Sequence, residues 1–212
     1  GAIRIVDELR VLGIMPVFVS SDAVFDGHRS WWREDDEPRP ILAYGRQKLE
    51  VERYLATLPP PWLVVRLPKL LAEGRHPRCM LTGWVDALGS EGRILCATDQ
   101  YFTPAAAADA ARGIATLIRE RAQGLFHLGG PERLSRRELL GMVLDEYRGF
   151  GTARAEIVEC SLRDISVAEA RPLDTSLCSE RFTKRFGGAF REMGAIVKAA
   201  VQACLFNPTF RS

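Results

Sequence analysis

Apolar residues at Ile3, Val6 and Leu9 fall on one helical face and predict a helix over residues 2–12. The pattern then changes to an apolar run from Ile14 to Val19, which reads as a buried strand over 14–19. A loop over 22–40, a helix over 41–57 and a strand over 62–66 follow, and Pro59-Pro60-Pro61 stops the helix. Next come a helix over 79–89, a strand over 93–97 and an Ala-rich helix reaching Gln123, with Thr103 as its cap and Pro104 in its first turn. A strand over 124–128 leads to Ser135 and Glu138, which form a Ser-x-x-Glu capping box for another helix. A strand over 155–160, a short helix near 163–170 and helices over 178–186 and 189–205 complete the chain. Strands alternating with helices imply an α/β fold, a parallel sheet flanked by helices.

The candidate chemistry lies where the first strand ends. Ser20, Ser21 and Asp22 come at the carboxyl end of an apolar strand, where open α/β sheets place their ligands. Tyr44 and Lys48, on the next helix, are one turn apart and so share a face. A phenol is a poor acid or base at neutral pH, and an adjacent ammonium favours its ionised form. Such a tyrosine can protonate a carbonyl oxygen while hydride arrives at the carbon.

These residues resemble the extended short-chain dehydrogenase/reductases, most closely the dTDP-4-dehydrorhamnose reductase-like branch acting on nucleotide sugars. The likeness rests on Ser20-Ser21-Asp22-Ala23-Val24-Phe25-Asp26-Gly27, the acidic Glu34-Asp35-Asp36-Glu37-Pro38 and Tyr44-Gly45-Arg46-Gln47-Lys48, in that order. It continues through Val64-Val65-Arg66-Leu67-Pro68, Asp99-Gln100 with Pro104, Gly124-Leu125-Phe126-His127-Leu128, and Arg171-Pro172 with Ser176-Leu177. The resemblance implies an NAD(P)-dependent reductase of a 4-keto nucleotide sugar, with NADP or NAD as cofactor. Ser21, Tyr44 and Lys48 would be catalytic. Ser20, Tyr44, Lys48, Leu67 and Pro68 would meet the cofactor, and Ser21, Asp22, Lys69, Gln100 and Arg171 the substrate. Ser20 and Asp22 also suit bracing of the turn after the strand. An epimerase or dehydratase, or a non-catalytic relative similar to the regulatory subunit of methionine adenosyltransferase, is the alternative.

Two positions depart from that branch: Ala23 stands where its reductases carry Tyr, and Lys69 where they carry Trp. Losing two aromatic surfaces changes which sugar can stack there, and Lys69 suits a phosphate or carboxylate instead. Trp31 and Trp32 are expected to anchor the acidic loop. No Gly-rich dinucleotide turn occurs in the chain. The family comparison therefore leads to the expectation that roughly 60 to 90 residues of βαβ structure precede Gly1 in the native protein, and that this chain alone binds dinucleotide weakly. Residues 1–66 read as the carboxyl part of a dinucleotide-binding domain. Residues 67–212 read as a substrate lobe with returns to the sheet.

Composition narrows the remaining classes. The 212 residues are 47% hydrophobic and 26% charged, with a net charge of +2, ordinary globular material. Arg133, Arg136 and Arg137, and Arg181, Lys184 and Arg185, form basic clusters without interleaved aromatics, so solvated helix faces explain them better than nucleic acid. Five scattered cysteines without a Cys-x-x-Cys point to reduced thiols in a cytoplasm. His28, His76 and His127 lack metal spacing, and His127 reads as a hydrogen-bonded core histidine. No apolar run reaches membrane length. The expected partner is a small nucleotide sugar, with no nucleic acid or membrane, and a homodimer is an assembly the sequence permits.

Overall fold

The computed structural model describes residues 1–165, 169–188 and 190–206. Helix α1 (Ala2–Val11) closes on Gly13, whose φ of 69° is left-handed. Gly13 N bonds to Arg10 O and Ile14 N reaches back to Leu9 O, each at 2.9 Å, the pairing of a Schellman cap. Ile14 therefore belongs to the helix end, and strand β1 runs Val17–Ser21 rather than 14–19. The ladder decides this. Val17 is the first residue to pair with β2 (Leu63–Leu67), in parallel, through Ser21 opposite Leu67.

Between them lies α2 (Ala43–Thr57), whose cap Leu58 is extended, as a residue before proline must be. The predicted start at residue 41 is two residues early, because Leu42 is still extended. Two-residue β3 (Leu70–Leu71) follows, then α3 (Met80–Leu88) and β4 (Arg93–Ala97). The latter two match the expected 79–89 and 93–97.

The expected helix from Thr103 is corrected. After β5 (Tyr101–Phe102), residues Ala105–Ala106 form β6, parallel to β3, and α4 spans only Ala107–Arg119. Thr103 does not cap it. Its hydroxyl accepts instead from Leu177 N at 2.9 Å, and tertiary pairing has overridden the cap signal. β7 (Gly124–His127) returns to the main sheet beside β2, giving the order β1-β2-β7.

β8 (Leu134–Ser135) pairs antiparallel with β5. α5 (Arg136–Arg148) begins with the expected capping box: Ser135 Oγ accepts from Glu138 N at 3.0 Å, while Glu138 Oε2 accepts from Ser135 N at 2.6 Å. β9 (Glu156–Cys160) pairs parallel with β4. The short helix expected near 163–170 is a single 3-10 turn over Leu162–Asp164, and residues 166–168 lie outside the described residues. α6 (Glu180–Phe186) and α7 (Met193–Phe206) start later than the expected 178 and 189; position 189 lies outside the described residues.

Burial follows from these pairings. On one face of the main sheet the rung Phe18–Val64–Leu125 packs with Val6, Val51 and Leu55 of α1 and α2. The opposite face buries Leu63, Val65 and Phe126 against Leu117 and Phe182 of α4 and α6. A second core joins α3, α5 and α7 with β4 through Trp84, Leu88, Cys96, Leu140, Val143 and Ile196. Among the described residues no helix is long and apolar enough to cross a membrane.

Candidate active site at the carboxyl ends of β1 and β2

One rung beyond the apolar layer the sheet turns polar. Ser20, Arg66 and His127 are register partners across β1, β2 and β7, so their side chains share a face. Glu52 of α2 lies against that rung. Arg66 grips it through Nη2 at 2.6 Å and Nε at 3.1 and 3.2 Å, and Ser20 donates its hydroxyl to the same carboxylate. Arg66 Nη1 lies 3.2 Å from His127 Nε2, and His127 Nδ1 lies 3.1 Å from the carbonyl oxygen of Trp32. A carbonyl can only accept, so Nδ1 carries the proton and Nε2 accepts from Arg66. Burial, then the charge of Arg66, holds His127 well below its usual value, in the neutral form. This charged layer is the buried support beneath the strand ends.

The strand ends carry the candidate chemistry. Ser21 Oγ donates to Asp22 Oδ1 at 2.9 Å and accepts from Ala23 N at 3.2 Å, closing a 3-10 turn over Asp22–Val24. Asp22 Oδ2 accepts from Thr175 at 2.8 Å. Burial pushes the Asp22 carboxyl above its ordinary value, opposed by the Thr175 and Ser21 hydrogen bonds and by the charge of Lys69. Hydroxyl, carboxyl and backbone thus form one braced unit.

α2 brings Tyr44 and Lys48 to that unit. Gly45 permits the approach: a Cβ there would collide with the carbonyl oxygen of Ala23 and lie 2.8 Å from Pro40 Cβ. The Tyr44 ring is 52% exposed and faces the cleft. Lys48 Nζ donates to Val19 O at 2.8 Å and lies 4.9 Å from the Phe18 ring centroid.

The cleft holds about 680 Å³. Ser20, Ser21, Asp22, Tyr44, Leu67 and Pro68 line one side of the chemistry, and Lys69, Gln100 and Arg171 join them in the same cleft. Lys48 stands beside the lining. Sequence reasoning thus named residues that the fold brings together from five separate stretches. It missed Arg136 and Thr175, which also line the cleft. The signal for Arg136 was its place directly after the capping Ser135; for Thr175, its place inside the Arg171 to Leu177 motif.

That motif acts as a strap. Tyr101 N bonds to Leu173 O at 2.6 Å and Thr175 N to Tyr101 O at 3.0 Å, while Trp32 N bonds to Ser176 O at 2.8 Å and Cys178 N to Trp32 O at 2.7 Å. It ties the loop after β1 to β5 and so fixes Thr175 over Asp22. Trp32 is buried and stacks on Phe25, centroids 4.4 Å apart, as expected of a loop anchor. Trp31, at a φ of 57°, is 41% exposed and anchors by its backbone N–H on Ser176 Oγ instead.

Four members of the basic clusters form ion pairs. Arg133 pairs with Asp174, Arg137 with Glu159, Arg181 with Asp35 and Lys184 with Glu180. Arg185 lies over the Phe186 ring at 5.2 Å.

The chain is similar to known proteins over most of its length. The chain is 27% identical over 176 residues to methionine adenosyltransferase 2 subunit beta of Danio rerio, covering 79% of this chain and 53% of that protein. It is 24% identical over 184 residues to the dTDP-4-dehydrorhamnose reductase of Sinorhizobium fredii, covering 83% of this chain and 62% of that protein. The chain therefore spans little more than half the length of these relatives. Its fold matches the dTDP-4-dehydrorhamnose reductase of Bacillus anthracis str. Ames in complex with NADP at a TM-score of 0.78 and 20% identity, covering 93% of this chain and 68% of that one. The RmlD substrate binding domain family matches residues 1–206, and the chain belongs to that family.

Proposed function

We propose that the protein is an NAD(P)-dependent reductase of a 4-keto nucleotide sugar. The observation that carries this reading is the meeting of Ser21 and Tyr44 in one cleft on the carboxyl ends of β1 and β2, with Lys48 beside its lining. The residues present fit a nicotinamide. Val19, Leu67 and Pro68 give the cleft apolar surface, and Lys48 uses one of its donors on Val19, leaving others for ribose hydroxyls. When bound, the nicotinamide supplies the hydride that reaches the ketone carbon.

The chain's own residues manage the proton. Tyr44 gives its phenolic proton to the ketone oxygen, so that the carbonyl becomes a secondary alcohol. Lys48, 5.5 Å from the Tyr44 ring centroid, offsets the negative charge left on the phenol. Ser21 positions the same oxygen by hydrogen bonding, and Asp22 with Thr175 keeps Ser21 in place. Lys69, Gln100 and Arg171 hold the rest of the substrate. Residues 1–66, joined by Leu67 and Pro68, supply the cofactor side, and the rest of 67–212, with β7 returning to the sheet, supplies the substrate side.

The test is NADPH or NADH oxidation with dTDP-4-dehydrorhamnose, read as loss of the reduced cofactor. Net oxidation matched by alcohol formation supports a reductase. Turnover of a sugar with the cofactor left unchanged overturns it in favour of an epimerase or dehydratase. The likeness to the Danio rerio subunit motivates a second reading, a non-catalytic partner of a synthetase, which predicts a stable complex and no turnover.

A further inference from the structure

Ser21 has one proton to give, and it is directed away from the substrate. A serine hydroxyl donates once and accepts up to twice. Ser21 Oγ donates to Asp22 Oδ1 at 2.9 Å and accepts from Ala23 N at 3.2 Å. A ketone oxygen can only accept, so a ketone set against Ser21 in this arrangement meets a lone pair and no donor. An ionised Asp22 has no proton to hand back.

Protonating Asp22 resolves the conflict. A proton on Oδ1 reverses that bond, and Asp22 then donates to Ser21 Oγ. Ser21 accepts from Asp22 and from Ala23 N, and its own proton is free for the cleft that it lines together with Tyr44. Oδ2 becomes the carbonyl oxygen of the acid and still accepts from Thr175 at 2.8 Å. Every group in the unit therefore keeps a partner, which the ionised arrangement achieves only without a substrate. The surroundings act in both directions. Burial is the largest influence on Asp22 and raises it, whereas the Thr175 and Ser21 hydrogen bonds and the charge of Lys69 favour the ionised form. Tyr44 from α2, Arg136 from α5 and Arg171 from the strap line the same cleft, with Lys48 beside it.

We infer that Asp22 is a positioning residue that works in its protonated form: as a neutral acid it donates to Ser21 Oγ and so turns the Ser21 hydroxyl toward the ketone oxygen of the substrate. The inference rests on the reductase reading above and adds to it a protonation state that ketone binding selects.

Linkage makes ketone binding draw a proton onto Asp22. Calorimetric titration of dTDP-4-dehydrorhamnose into the protein with oxidised cofactor, where no turnover occurs, reads this in buffers of different ionisation enthalpy across a pH series. Affinity should fall about tenfold in all as the pH rises through the Asp22 value, the worth of the hydrogen bond lost. Proton uptake should peak at about half a proton per site in that interval. Asp22→Asn, whose amide can donate to Ser21 at every pH, should remove both the fall and the uptake. Thr175→Val and Lys69→Met each delete an influence that favours the ionised form, and should move the midpoint to higher pH. A carboxylate that only braces the turn predicts no uptake and no midpoint to move. Binding independent of pH in the parent, or the same uptake in Asp22→Asn, overturns the inference. Cofactor oxidation by a protein that takes up no proton on binding leaves the reductase standing and removes this role of Asp22. Uptake that Asp22→Asn abolishes, in a protein that never transfers hydride, leaves Asp22 standing and removes the reductase. Absence of ketone binding at every pH overturns both.

Discussion

Lys48 Nζ lies 5.5 Å from the centroid of the Tyr44 ring, one helical turn along α2. Its hydrogen bond to Val19 O, in the middle of β1, holds it against the strand rather than in solvent. Removing the ammonium should therefore affect chemistry far more than folding. Lys48→Met is expected to lower the rate of hydride transfer by about 100-fold or more. The stability loss should stay near ~1 kcal/mol, the worth of one hydrogen bond. Steady-state kinetics with urea unfolding of the same variant checks both halves.

Glu52 and Arg66 form a buried pair, 5% and 3% exposed, that also satisfies Ser20 and His127. Glu52→Leu leaves Arg66 charged and unpaired, and should cost about 3–5 kcal/mol. Adding Arg66→Met should recover much of that loss, since well-packed apolar replacements of a buried pair are often neutral. Chemical denaturation of the two variants measures the difference. Equal stability of the single and double variants would contradict the pairing.

His127 makes stability depend on acidity. Its folded state resists protonation because Nε2 faces the Arg66 guanidinium in a dry site. The unfolded chain takes up a proton near the ordinary value of 6.5, so above that pH this group exerts no pH dependence. As the pH falls below 6.5, protonation favours the unfolded chain, and stability drops by about 1.4 kcal/mol per pH unit until the folded histidine itself titrates. His127→Gln should remove one proton's worth of this slope. Urea unfolding across a pH series reads it directly.

Gly45 governs how closely α2 approaches the turn after β1. Gly45→Ala forces a methyl against Ala23 O and Pro40. Overpacking of this kind costs about 1–3 kcal/mol. It should also lower the rate, because the start of α2 must retreat from Ser21 and carry Tyr44 with it. Unchanged kinetics in a destabilised Gly45→Ala protein would show that the spacing is not critical.

The long elements were legible because each carries its own periodicity. α1, α2, α3, β2, β4 and the capping box of α5 could be read from local pattern alone. The misses arose where distant pairing decides the outcome. β3, β5, β6 and β8 are two residues each and exist through their partners. The same cause shortened α4, because Ala105 and Ala106 pair with Leu70 and Leu71 instead of joining a helix that their alanines favour. In the site, motif order pointed to Ser21, Tyr44, Lys48 and Lys69. Arg136 looked like one of three surface arginines, since nothing local says that its two neighbours find acids while it, among the described residues, does not.

The most direct measurement follows deuterium from [4,4-2H2]NADPH or [4,4-2H2]NADH into dTDP-4-dehydrorhamnose, comparing the protein with its Tyr44→Phe variant by mass spectrometry of the sugar product. The reductase account predicts one deuterium at the carbon that bore the ketone, stoichiometric with oxidised cofactor, and a loss of about 100-fold or more in Tyr44→Phe. No deuterium in the sugar, or full transfer by Tyr44→Phe, would contradict it.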